Sequence, residues 1–131
     1  LVVLGGLYND ATISGEEVDA GVLGRRASGT SRYRANASLN WAVPWHEPLT
    51  LTARVFYFSD WIANPQNTLK VPGRTILSGG ARYRVSMGKK QLLARVNVDN
   101  ILNTFGWNAS GSGYFTNNPS RRLSLSLAAD L

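Results

Sequence analysis

The chain has 131 residues and no cysteine, and its fourteen Lys and Arg against eight Asp and Glu give a formal charge of +6. That length holds one domain with a real core, and the missing thiols exclude a disulfide framework and a thiolate metal site. The basic residues are scattered and form no dense run, so nucleic acid is not expected as a partner.

The opening "LVVLGGLY" has no basic n-region and no small-residue cleavage site, so no signal peptide is expected. Apolar runs stay far below the ~20 residues a membrane-spanning helix needs. A transmembrane β-barrel remains open, because its strands need only about ten alternating residues each.

Six alternating segments follow in order: residues 2–13, 34–43, 49–60, 75–86, 91–103 and 121–131. The first is irregular, with Gly5 and Gly6 interrupting it and Asn9 spoiling its odd face. In the second, Ala35, Ala37, Leu39, Trp41 and Val43 oppose Arg34, Asn36, Ser38 and Asn40. In the third, Leu49, Leu51, Ala53, Val55 and Tyr57 oppose Thr50, Thr52 and Arg54. The fourth sets Leu77, Gly79, Ala81, Tyr83 and Val85 against Ser78, Arg82 and Arg84. The fifth sets Leu92, Ala94, Val96 and Val98 against Gln91, Arg95, Asn97 and Asp99. The sixth sets Leu123, Leu125, Leu127, Ala129 and Leu131 against Ser124, Ser126 and Asp130. The polar side thus collects Arg34, Arg54, Arg82, Arg84, Arg95, Asp99, Arg122 and Asp130, which either a wet lumen or a solvated sheet face tolerates.

The connections alternate long and short: residues 14–33, "PWHEP", 61–74, the "GKK" turn, and 104–120. Outer-membrane barrels sort their loops by length in this way, whereas a soluble sandwich has no reason to. On that reading Trp41, Trp45 and Tyr83 lie near the short-turn rim, and Tyr57 and Trp61 near the opposite rim, as two aromatic belts. The alternative is that Trp41 and Tyr83 are core residues of a soluble sheet. His46 has no second histidine near it and reads as a turn residue. On the barrel reading Asp99, Asn100 and Asn103 fall where a strand leaves the membrane, and their polar groups are expected to bond rim backbone. No nucleophile–base pair and no metal cluster is visible, so neither catalysis nor a cofactor is expected.

"VPGRTILSGGARYRV", "LLARVNVDNILNTFGW" and "NPSRRLSLSLAADL" together closely resemble the C-terminal end of TonB-dependent outer-membrane receptors, in particular the siderophore branch. The matching positions are Pro72, Gly73, Gly80, Ala81, Arg82 and Tyr83, then Asn97, Val98, Asn100, Ile101, Leu102 and Asn103, then Pro119 and Arg121. "GGLYNDATI" and "LGRRASGTSRYRANASLNW" are similar to the family's preceding strands and loop. Two positions depart from its pattern: Ser120 separates Pro119 from Arg121, and Leu131 stands where the family usually ends in Phe.

The resemblance implies an all-β fold of antiparallel up-and-down strands. Residues 1–131 would supply about six consecutive C-terminal strands of a barrel of roughly 22, with the plug domain outside this chain. It further implies a receptor in the bacterial outer membrane, in contact with its lipid, that takes up a ferric siderophore and is energised by TonB through the missing plug. Alternatives are another ligand on the same fold, such as cobalamin or a glycan, or a soluble all-β binding module.

For ligand contact, the loop at 104–120 offers Phe105, Trp107, Tyr114 and Phe115, rings suited to stacking on a flat chelate. Arg82 and Arg95 would draw negative charge from the lumen wall. The competing expectation is that these rings pack the loop or rest at the membrane interface.

Overall fold

The computed structural model describes residues 1–88, 90–109 and 114–129. The expectations for Lys89 in the short turn, and for Asp130 and Leu131 at the end of the last segment, fall outside those residues.

Six long strands form one sheet, and every neighbouring pair is antiparallel. They are β1 (Val2–Tyr8), β2 (Tyr33–Ala42), β3 (Leu49–Phe58), β6 (Arg74–Met87), β7 (Lys90–Asp99) and β10 (Arg122–Ala129). Their spatial order is their chain order, the up-and-down arrangement expected from the sequence. The remaining elements lie in the long connections: α1 (Glu16–Asp19), the pair β4 (Trp61–Ile62) with β5 (Lys70–Val71), and the pair β8 (Trp107–Ala109) with β9 (Phe115–Asn117).

The register aligns the apolar faces read from the sequence into one continuous surface. Ala37 lies opposite Val55, Val55 opposite Leu77, Ala81 opposite Val96, and Val96 opposite Leu125. Strand β1 joins this surface through its even positions, with Val2 opposite Leu39 and Leu4 opposite Ala37, so Asn9 never belonged to the face that matters.

This surface is bare. Leu4 and Leu125 are each 75% exposed and Leu127 69%. A soluble sandwich would cover such a face with a second sheet, and none lies on it among the described residues. The buried apolar cluster instead comprises Trp61, Ala63 and Val71, with Phe58 against it, in the second long connection.

Strands end where their backbone chemistry changes. The fifth segment stops at Asp99 and not at residue 103, because Asn100 and Asn103 take φ of 50° and 51°, the left-handed region Asn tolerates better than most residues. The third stops at Phe58, where the Ser59 hydroxyl accepts the Tyr33 N–H at 3.0 Å. The first stops at Tyr8, although its chain continues beside the other arm of the connection, with the Ile13 N–H donating to Arg25 O at 2.7 Å.

Candidate functional site

The antiparallel order places the three long connections, residues 9–32, 59–73 and 100–121, at one end of the sheet and the two short turns at the other.

The first two connections are zipped together by backbone. Gly24 N–H donates to Pro65 O at 2.9 Å, and Gly29 N–H to Ile62 O at 2.7 Å. Between these bonds the Asn67 side chain accepts the Arg26 N–H at 2.8 Å and donates to Arg26 O at 2.9 Å, standing in for a strand partner. Gly24 is required here, since a Cβ would collide with the Asn67 side chain. Asp60 adds charge to the junction, its Oδ2 lying 3.2 Å from Lys70 Nζ and 3.6 Å from Arg26 Nη1. Burial pushes the Asp60 carboxyl up, but the Lys70 hydrogen bond and the Lys70 and Arg26 charges outweigh that, and the group lies below its ordinary value.

The third connection is tied down by Arg74, the first residue of β6, which lies opposite Phe58 on the polar face. Its Nη1 donates to Trp107 O at 2.7 Å and its Nη2 to Asn108 Oδ1. Its guanidinium carbon also sits 4.9 Å from the Trp61 ring centroid and 5.4 Å from that of Phe58. Cation–π contacts of this kind contribute about 0.5–2 kcal/mol each, more as water is excluded.

Below it, the base of the connection is held by Asn100, whose Nδ2 donates to Thr104 O at 3.0 Å and Pro119 O at 2.9 Å. Its Oδ1 accepts the Thr104 N–H at 2.9 Å. Asn103 Oδ1 accepts the Arg121 N–H at 2.9 Å. These two asparagines bond rim backbone as the sequence led one to expect. Asp99 does not; it pairs with the Arg122 side chain at 3.0 Å.

Three of the four predicted loop aromatics come together. Phe105 and Trp107 meet edge-to-face at 5.6 Å between centroids, and Trp107 and Phe115 at 6.3 Å. All three are exposed, as is Tyr114. Arg82 and Arg95 are not brought to them. They face each other across β6 and β7 in the row Thr50–Arg82–Arg95–Ser126. At ~3.4 Å per residue, that row lies about 27 Å down β6 from Arg74.

The sequence model described as TonB dependent receptor-like, beta-barrel, matches residues 2–101. The chain belongs to this family. It is 33% identical over 110 residues to the ferrichrome receptor FcuA of Yersinia enterocolitica, an alignment covering 82% of this chain and 14% of that protein. It is also similar to the crystal structure of BauA, the ferric preacinetobactin receptor from Acinetobacter baumannii. There the TM-score is 0.80 at 27% identity, over 98% of this chain and 19% of that one. The chain therefore spans only a small part of the length of either relative. Both relatives are receptors and not enzymes, and the family is one of the bacterial outer membrane.

Barrels of the outer membrane turn an apolar face to lipid and carry aromatic girdles at its two rims, and the bare face of this sheet has aromatics at both ends. At the short-turn end Trp41 meets Trp45 at 5.6 Å, and His46, a turn residue between β2 and β3 whose N–H donates to Val43 O, stacks on Tyr83 at 5.4 Å. At the other end Tyr8 and Tyr33 meet at 5.1 Å beside the exposed Tyr57. Along β2 the belts are separated by about 27 Å at ~3.4 Å per residue. Tilting strands by about 40° leaves roughly 20 Å, near the ~25 Å apolar band of such barrels.

Trp61 corrects the expected outer belt: it is 5% exposed, turned inward beneath Arg74. Arg74, Asn67, Gly106 and Asn118 were not singled out from sequence. Their contacts reach across long stretches of chain, and only the strand-initiating position of Arg74 after "VPG" hinted at a rim role.

Proposed function

We propose that this chain is the C-terminal six strands of an outer-membrane receptor that takes up a ferric siderophore. Energy would come from TonB through a plug domain carried elsewhere in the polypeptide. The observation that carries this reading is the exposed ring cluster of Phe105, Trp107 and Phe115 at the long-loop end. Such rings stack on a flat, partly apolar chelate, and Tyr114 lies beside them in sequence. Both relatives are named as receptors for iron chelates, which supports the same class here.

Below the rings, the polar face carries a depression of mixed character, lined by Leu1 and Val3 as well as by Thr52, Arg54, Asn97 and Asp99. Arg82 and Arg95 lie further toward the short-turn end. In this proposal they do not share a contact with the rings; they make the lower wall electropositive and draw an anionic ligand inward. In the full-length receptor, replacing Trp107 and Tyr114 together by Ala is expected to weaken ferric siderophore binding at least tenfold, about 1.4 kcal/mol, with barrel insertion intact. Unchanged affinity in a correctly inserted double variant would remove the loop from the site. Saturable binding of cobalamin or a glycan, with no iron chelate bound, would keep the transport reading and change the ligand.

A further inference from the structure

The Arg74 guanidinium makes two hydrogen bonds and two ring contacts, and the partners come from three separate elements. The two ring contacts are with Phe58 of β3 and Trp61 of β4, while both terminal nitrogens reach β8, at Trp107 O and Asn108 Oδ1. Arg74 is 9% exposed, and its Nε is the one nitrogen without a partner. β8 approaches this closely because residue 106 is Gly: a Cβ there would stand 2.6 Å from Arg74 Cδ and 2.8 Å from Asn118 Oδ1. Asn118 closes the other side, its N–H donating to Gly106 O at 2.9 Å and its Nδ2 to Thr104 O at 2.7 Å.

The peptide unit that Arg74 grips is that of Trp107, and the Trp107 ring is the member of the cluster that touches both Phe105 and Phe115.

We propose that Arg74 is the positioning residue for the loop aromatics: a planar fork, resting against the Phe58 and Trp61 rings, that fixes Trp107 and so the geometry of the whole cluster. Lysine cannot replace it, because an ammonium has no flat faces to stack and no pair of parallel donors. The consequence for ligand capture rests on the loop-aromatic reading above; the positioning itself does not.

The test uses the full-length receptor carrying 4-fluorophenylalanine at Phe115, whose fluorine resonance senses the ring current of Trp107. A Trp107→Ala receptor marks where the resonance falls without the indole beside it. Arg74→Ala and Arg74→Lys are each expected to move the resonance to the Trp107→Ala position in a receptor that still assembles into a heat-modifiable barrel. Added methylguanidinium, and not methylammonium, is expected to return the Arg74→Ala resonance to the parent shift. A resonance that stays at the parent shift in the Lys variant, or the two cations acting alike on the Ala variant, would overturn the proposal. Should the Ala variant fail to fold, the Lys variant decides. If the resonance responds as expected while the Trp107→Ala, Tyr114→Ala receptor still binds its chelate, the ligand reading falls and the role of Arg74 stands.

Discussion

Arg82 stands directly across from Arg95 in the β6–β7 ladder, and the Nε of Arg82 is buried without a hydrogen-bond partner. Like charges opposite one another weaken a strand pair by a few tenths to about 1 kcal/mol. On the described strands the polar face offers a single carboxylate, Asp99, already paired with Arg122. Arg95→Gln is therefore expected to leave the unfolding midpoint of the receptor unchanged or raise it, while slowing capture of an anionic chelate and flattening the salt dependence of its association rate. Stopped-flow association at several ionic strengths, beside a melting curve, checks both. A fall in stability with unaltered capture would show that the pair is already neutralised within the barrel.

The two faces of the sheet are expected to answer differently to charge. Val96 and Leu125 lie opposite each other near mid-strand on the bare apolar face. An Arg at either should cost roughly 2–4 kcal/mol in lipid and sharply reduce assembly into the membrane. Ser124, one position away on the polar face, should accept Arg with normal assembly. Heat-modifiability of the assembled barrel on gels reads the outcome, and equal tolerance on both faces would reverse the assignment of lipid and lumen.

At Asn100 two effects separate by choice of substitution. Glycine keeps the left-handed backbone free of strain but deletes three side-chain hydrogen bonds, whereas alanine deletes the bonds and adds strain at φ 50°. Asn118 still donates to Thr104 O, so the cost falls on the part-buried Thr104 N–H left unpaired, about 1–3 kcal/mol. Asn100→Gly should lose that much, and Asn100→Ala about 1 kcal/mol more, in chemical denaturation of the refolded receptor. Equal losses would mean that backbone strain contributes nothing here.

Acid should loosen the junction of the first two long connections late. The Asp60 carboxyl is depressed, so its contribution is present above the ordinary value of 3.8 and disappears only as pH falls through its lower folded value. Asp10, depressed chiefly by the hydrogen bond from Arg32, behaves in the same direction. Amide exchange at Gly24, Arg26 and Gly29 should therefore keep its protection at pH 5, after correction for intrinsic rates, and lose part of it below the ordinary carboxylate value. Protection that vanishes already between pH 7 and 5 would point to a different group.

What was legible in the sequence was whatever repeats locally. Strands β2, β3, β6, β7 and β10 keep an apolar set at alternate positions, despite strays such as Phe56, Ile76 and Leu93 on the polar side, so their faces could be read and the register only had to align them. β1 could not be read this way: Val2, Val3, Leu4 and Leu7 place apolar groups on both faces, and only pairing with β2 selects the even one. The Asn100 turn was legible because its partner Thr104 is four residues away. Trp61 was not, because β4 has two residues and carries no period, and Trp61 packs with Val71 and beneath an arginine from later elements. The same holds for Asn67 and Arg26, joined across 41 positions.

The zipper between residues 24–29 and 62–67 bears on how this surface can be copied or edited. A synthetic peptide or a grafted loop taken from either stretch alone would carry donors and acceptors whose partners stayed behind, so antibodies raised against it would meet a shape the receptor never displays. A faithful mimic has to transplant both stretches together, and length changes that one connection accepts must be matched by the other to keep Gly24 over Asn67.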